Sequence, residues 1–296
     1  MKLYAPAYYK KFKCIAGQCR HSCCIGWEID IDGGTLKKYD DLRCDYASVI
    51  ADSISMEGVP HFRLGAKDRC PHLDDRGLCR IIINAGEDYL CDICREHPRF
   101  YNFTSVAEVG LGMSCEEAAR LILDSSDYEK MVEAGDVDAS EDDVEFDGRA
   151  HRCRIYETLR NENSDYPERL GRIYLDYSIG IGEDSAWLEL IDSLEYLDGE
   201  HKKLFMRYSS HLRPHGKDEY LERFLAYLIY RHCTEAVDLE DFCDRLTFCL
   251  FCERLLASLI CVEGADSISD VASLARIISE EIEYSDDNTS KLMYSE

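Results

Sequence analysis

Cys14-Ile-Ala-Gly-Gln-Cys19-Arg-His-Ser-Cys23-Cys24 decides the reading of this chain, because its thiols are separated by four residues, then three, then none. Gly17 lets the backbone fold back on itself, so such a loop can aim several sulfurs at one point. A second group follows as Cys70-Pro71-His72, then Cys79, then Cys91-Asp92-Ile93-Cys94. It ends in the C-x2-C spacing at which two thiolates share one metal ion or cluster. With Cys44 and Cys115, ten of the 16 cysteines lie within the first 115 residues. A frame this dense predicts an irregular, metal-bound N-terminal subdomain carrying one or two short strands.

Disulfides and ordinary buried thiols compete with a metal. Disulfides need an oxidising compartment, and residues 1–13 (MKLYAPAYYKKFK) show neither the apolar run nor the small-residue cleavage site of a secretory signal. Free cysteine is a common core residue, but a core does not ask for adjacent Cys23 and Cys24 or for thiols beside Gly, Pro and charged residues. Metal or iron–sulfur ligation is therefore expected of Cys14, Cys19, Cys23, Cys70, Cys79, Cys91, Cys94 and Cys115, with Cys24 as a further member of the first loop. These exceed the four thiolates that one ion or cluster takes, so spares, a second metal or plain core remain open among them.

The chain has 296 residues, enough for one large core or two modest ones. Its net charge of −25, from 59 acidic against 34 basic residues, disfavours a nucleic-acid backbone or an anionic membrane as partner and suits a cationic one. The same like charge points to a monomer. No apolar run approaches the length that spans a bilayer, so a cytoplasmic protein is expected.

Residues 1–26 read as an irregular cap. Trp27-Glu28-Ile29-Asp30-Ile31-Asp32 alternates apolar with acidic residues, the pattern of a short strand with one dry face, and Gly33-Gly34 ends it. The carboxylates on its other face are expected to meet water. Residues 35–54 are loosely helical, and 61–64 suit a second short strand. Asp74-Asp75-Arg76-Gly77 reads as a tight turn that brings Cys70 and Cys79 back toward each other. Ser114 with Glu117 three residues on forms a capping box, which puts Cys115 at the first helical position, where the helix end favours a thiolate.

Residues 124–148, with Asp138, Glu141, Asp142, Asp143, Glu145 and Asp147, read as an exposed acidic connection. Helical periodicity dominates beyond it, in runs such as Leu221, Phe224, Leu225 and Leu228. Cys249-Leu250-Phe251-Cys252 repeats the C-x2-C spacing, but inside an apolar helical pattern over 248–260 with no Gly or Pro to bend it, so buried core is expected there. Motifs for a dinucleotide fold, a phosphate loop, a nucleophile elbow and H-E-x-x-H are missing. The C-x3-C-x2-C of radical enzymes that use S-adenosylmethionine is missing too, since Gly26 stands where its third thiol would be.

The N-terminal stretches resemble the flagellin lysine-N-methylase family. The resemblance rests on Phe12-Lys13-Cys14 with Cys19; Cys23-Cys24-x2-Trp27-x-Ile29-x-Ile31-Asp32; Cys70-x2-Leu73 with Gly77-x-Cys79-x-Ile81; Gly86-Glu87-x2-Leu90-Cys91-x2-Cys94 with Pro98-Arg99; and Glu108 with Ser114-Cys115-x2-Ala118-Ala119-Arg120-Leu121. Glu116 stands where that family has Pro. A shorter, related group of cysteine-rich zinc- or iron-chelating domains shares these motifs.

The resemblance implies a [4Fe-4S] cluster on several of these cysteines, S-adenosylmethionine as methyl donor, and the side-chain amine of lysines on a protein substrate, flagellin-like, as acceptor. Four thiolates leave such a cluster negative, and Arg20, Arg80, Arg95 and Arg99 stand beside the proposed ligands to balance it. His21, His72 and His97 are expected as hydrogen-bonding neighbours of the thiols. Tyr39, Tyr89 and Tyr101 are candidate aromatic faces for a sulfonium or methylated amine, and no catalytic residue is assigned. The alternative is a protein without methyl chemistry, holding zinc or a cluster as a partner-binding or redox-sensing module. The expected fold is mainly α, with a cysteine-rich iron–sulfur domain at 1–123, the acidic connection at 124–148, a helical domain at 149–284 and a frayed tail at 285–296.

Overall fold

The computed structural model describes residues 1–138, 146–180 and 182–294, so Glu141, Asp142, Asp143 and Glu145 of the expected acidic connection lie outside the described residues. About 53% of the chain is helical, which makes the protein mainly α. In chain order the strands are β1 (Lys2–Pro6), β2 (Ile54–Ser55), β3 (His61–Phe62), β4 (Arg99–Phe103), β5 (Ala107–Leu111) and β6 (Met131–Asp136). The helices begin with α1 (Gly33–Asp41), α2 (Ala47–Ser53), α3 (Arg80–Asn84), α4 (Asp92–Glu96) and α5 (Glu116–Asp124). They continue with α6 (Gly148–Leu159), α7 (Tyr166–Asp176), α8 (Asp184–Ser193), α9 (Gly199–Phe205), α10 (Asp218–His232), α11 (Leu239–Glu263), α12 (Ile268–Ile278) and α13 (Asp286–Met293).

The chain forms two compact units, and they do not follow the division expected at residue 123. One comprises Met1–Phe12, Arg99–Ser114 and Ala118–Glu296, and the other comprises Lys13–Pro98 with Cys115–Glu117. The first is built on α11, whose residues from Phe248 to Ile260 are all buried. A helix apolar all round must be surrounded, and α10 packs along it. Beside these helices lies a four-stranded sheet in the order β4-β5-β1-β6. β1 pairs parallel with β5 and antiparallel with β6, which is why the first residues of the chain join this unit instead of capping the thiols. β6 also gives part of the expected acidic connection a regular structure, and Tyr128 just before it is buried, with its hydroxyl donating to Glu222 at 2.9 Å.

β5 is buried along its whole length, including the carboxylate of Glu108. Arg152 of α6 donates to both its oxygens at 2.7 and 2.8 Å, the bidentate pairing that makes a buried charge tolerable. A Cβ at Gly110 on the same strand would stand 2.3 Å from the Phe100 ring, so any larger residue forces the ring to shift. The tail expected to fray from 285 is instead capped and packed. Ser285 accepts from the N–H of Asn288, and Leu292 of α13 is buried.

The second unit has a smaller core of Ile29, Ile31, Tyr39, Tyr46, Ile50, Phe62 and their neighbours. Trp27 to Asp32 runs extended with Ile29 and Ile31 inward, as the alternation predicts, but it pairs only through a single bridge from Asp30 to His61 and is no strand. The loosely helical stretch after it is two helices, α1 and α2. Asp32 caps α1 by accepting from Thr35, and its other oxygen accepts from the N–H of Asp92 at 2.9 Å. One carboxylate thus joins the start of α1 to the start of α4, where the C-x2-C pair sits. The expected strand at 61–64 is β3, two residues long and paired with β2.

Candidate metal centre

All eight expected ligands fall in the second unit, and Cys24 joins them. The turn at 74–77 forms as expected. Asp74 accepts from the N–H groups of Arg76 and Leu78 at 2.8 and 2.9 Å, and Leu73 bridges to Cys79 behind it. The N–H of Cys70 donates to the carbonyl of Cys24 at 2.9 Å, which ties the end of the first thiol loop to the second group. Gly17 lies directly on the turn, since a Cβ there would stand 2.1 Å from the Arg76 carbonyl oxygen. That close approach is the reason the first loop needs glycine.

Cys24, Cys44, Cys70, Cys79, Cys91 and Cys94 pack against the core of the unit, with Cys70 and Cys91 buried in it. Cys14, Cys19, Cys23 and Cys115 lie outside that core, and Cys14 and Cys23 are exposed. Cys115 is placed by its neighbour. The Glu116 carboxylate accepts from the backbone N–H groups of Arg20 and His21 at 2.8 and 3.2 Å, which fixes the Cys19 end of the loop to the start of α5. The expected capping box is not made. Ser114 Oγ is buried without a hydrogen-bond partner, and α5 begins at Glu116 with Cys115 just ahead of it.

The thiols act on one another electrically. Burial, and then the thiols of Cys115 and Cys14, push Cys19 up to about 12. Burial and the thiols of Cys24, Cys79 and Cys91 push Cys70 up to about 12. Two pairs are in hydrogen-bond contact. Cys23 donates to Cys24 and brings it down to about 7 against the opposing effect of burial, helped by Ser22 and the Arg69 guanidinium. Cys94 donates to Cys91 and lowers it, and the Tyr39 hydroxyl lies 3.8 Å from the Cys91 sulfur. In each pair the accepting sulfur is shifted toward the thiolate, the form that ligates metal. Among the described residues, no three His, Cys, Asp or Glu side chains stand close enough to hold a single metal ion.

His72 is committed elsewhere. It is buried, with Nδ1 3.0 Å from the Tyr46 hydroxyl and Nε2 2.9 Å from Ser53 Oγ, and burial lowers its pKa to about 4. It buttresses the thiol loops as a neutral ring. Of the expected arginines, Arg80 lies over the Tyr46 ring, Arg95 pairs with Asp92, and Arg20 pairs with Glu116. Arg99 belongs to the other unit, where it meets Tyr9. Arg69, which sequence spacing did not single out, faces Cys24. Tyr101 stacks on Phe103 in the other unit, whereas Tyr39 donates to the Tyr89 carbonyl at 2.8 Å beside Cys91. Cys249 and Cys252 are buried in α11, and Cys249 meets Cys233 at 3.8 Å.

Fold and site define a mainly α protein with a separate cysteine-framed unit that presents ten thiols. The chain is 31% identical over 130 residues to a lysine-N-methylase of Salmonella typhimurium and equally to one of Salmonella choleraesuis, covering 41% of this chain and 32% of each of those proteins. It is 30% identical over 130 residues to the flagellar biosynthetic protein FliU of Salmonella muenchen, of which 77% is covered. This chain belongs to the flagellin lysine-N-methylase family. It spans about a third of the length of the two methylases it matches (32%). No protein-family model matches the chain, and no solved structure does.

Proposed function

We propose that this protein is an S-adenosylmethionine-dependent methyltransferase acting on lysine side chains of a protein substrate, with an iron–sulfur cluster on its N-terminal thiols. The observation that carries the reading is the gathering of ten thiols in one small unit around two hydrogen-bonded cysteine pairs. Thiols so placed repel as thiolates, and a cationic core removes that repulsion.

The printed names of the relatives support lysine as the acceptor and a flagellar protein as substrate. The net charge of −25 suits a lysine-bearing surface, since carboxylates draw in cations before any specific contact is made. When bound, a cluster with one open iron can hold the amino and carboxylate groups of the methyl donor. The chain's own residues hold the thiol loops in place through Asp32, Asp74, His72 and Glu116. Calorimetry with S-adenosylmethionine on cluster-replete protein, followed by mass spectrometry of flagellin incubated with both, tests the reading. Binding that depends on the cluster and a gain of methyl groups on lysine are expected. Absence of binding to the replete protein overturns the methyltransferase in favour of a metal-holding, partner-binding module.

A further inference from the structure

A cavity of about 470 Å³ lies within the unit built on α11, between α6, the end of α7 and the start of α11. Small-molecule sites run from about 300 to 1,000 Å³ and are mostly apolar, with a few placed polar groups. Ile155 and Ile173 line this one as buried side chains. Leu239 lines it too and is 52% exposed, apolar surface that a bound molecule takes out of water.

One side of the cavity is a set of rings. His151 Nδ1 stands 3.1 Å from the Tyr177 hydroxyl, and both residues line the cavity. Phe242, wholly buried, backs them, with ring centroids 5.0 Å from His151 and 5.5 Å from Tyr177, and Phe146 stacks on His151 at 5.0 Å. Burial and then the Arg154 guanidinium lower the His151 pKa, which keeps that ring neutral. The charges fall unevenly around these rings. Arg149 and Arg152 of α6 meet Glu108, Arg169 of α7 meets Glu222, and Arg172 meets Asp176 at 2.8 Å. Arg154, on the cavity wall, has no ion pair among the described residues. Asp176 is the cavity's one lining carboxylate among the described residues, and Arg172 already neutralises it. Glu157 and Glu168 line the next groove along the same two helices.

We propose that this cavity is a binding site for a small molecule made of a flat aromatic ring and an anionic group, the ring lying along His151 and Tyr177 and the anion meeting Arg154. Rings offer a stacking face to any flat ligand, and an arginine without a carboxylate forms charge-assisted hydrogen bonds with a phosphate or carboxylate. A cationic ligand such as a methylated amine would also find the rings, but it would meet Arg154 with Asp176 already taken. The site goes beyond the methyltransferase reading and does not depend on it.

Nucleotides and aromatic acids share this chemistry, so calorimetry of the full chain with adenosine 5′-monophosphate and, separately, with indole-3-acetate tests the site and distinguishes the two sources. At least one is expected to bind, and its partner without the anion, adenosine or tryptamine, should bind about tenfold more weakly. Arg154→Gln and Tyr177→Leu should each weaken binding about tenfold. Should Tyr177→Leu fail to fold, Arg154→Gln decides alone, because Arg154 is exposed and its loss leaves the core intact. The bound probe should also slow alkylation of Cys243, which lines the cavity, by N-ethylmaleimide, while Cys153, exposed on α6, reacts as before. Peptide mass spectrometry reads both thiols. Binding of neither probe, equal or tighter binding of adenosine or tryptamine, affinity unchanged in Arg154→Gln, or a Cys243 that the bound probe leaves unprotected would each overturn the site.

Discussion

The C-x2-C spacing occurs in both units and does different things in each. On α11, Cys249 and Cys252 stand in the middle of a 25-residue helix among Phe248, Phe251 and Leu255, wholly buried. Cys249 finds its partner on another element, Cys233, and not three residues along. At 91–94 the helix is only five residues long and Cys91 is its cap, in extended conformation. The backbone there turns at the first thiol, so Cys94 reaches Cys91. Spacing alone does not bring two thiols together; the break in the backbone does. The units differ in the same sense as a whole. The helical unit is held by apolar burial and paired buried charges, and the cysteine-rich unit by a small core and a set of backbone clamps.

On the proposed metal reading, removing the metal should separate the behaviour of the two units most sharply. Metal-free protein is expected to be cut by protease within 13–98 while α10 and α11 keep their helical circular dichroism, because loops closed by ligands open without them. Equal resistance of both units would show that the cysteine-rich unit stands on its small core. Phe248→Ala should reverse the pattern. It leaves a cavity against α10 and is expected to cost about 3–5 kcal/mol in denaturant unfolding while metal per chain stays constant.

Acid should also act on the helical unit. Glu283 is buried, and although burial pushes its carboxyl up, Arg231 and His232 hold it down at about 2, below its ordinary value of 4.5. Burial lowers His232, so it donates Nε2–H to Glu283 at 2.7 Å as a neutral ring. A carboxyl lowered in the folded state contributes stability above its unfolded pKa, and that contribution is lost as pH falls from 4.5 toward 2. The loss is on the order of 3 kcal/mol, and Glu283→Gln should flatten this limb of the stability profile.

Two glycines give a matched, smaller test. Gly110→Ala drives a Cβ into Phe100 and Tyr230 and should cost about 1–3 kcal/mol with no change in metal. Gly17→Ala drives one into the Arg76 carbonyl and should lower metal content with less effect on global unfolding. The smallest effect is expected for Cys252→Ala, about 1 kcal/mol and no change in metal per chain. A loss of metal there would make α11 a second ligand-bearing element.

The gathering of the thiols in one unit was legible because short spacings act locally. Thiols at short spacing beside Gly17 and Gly77 mark loops that can converge, and the alternation from Trp27 to Asp32 marks its buried face whether or not a strand forms. The buried helices were legible for a similar reason, since an apolar face at helical period has to be covered. What joins distant segments was not written in any stretch of sequence. β1 reads as an irregular cap until β5 and β6 pair with it on either side, and that pairing takes the first twelve residues away from the thiols. The capping box at Ser114 was a sound local pattern, but Glu116 turns its carboxylate back to Arg20 and His21 instead. The sequence by itself determined that thiols gather and helices pack. Only the tertiary structure decided which thiols face the core and which face water, because that depends on backbone contacts across tens of residues that leave no periodic trace.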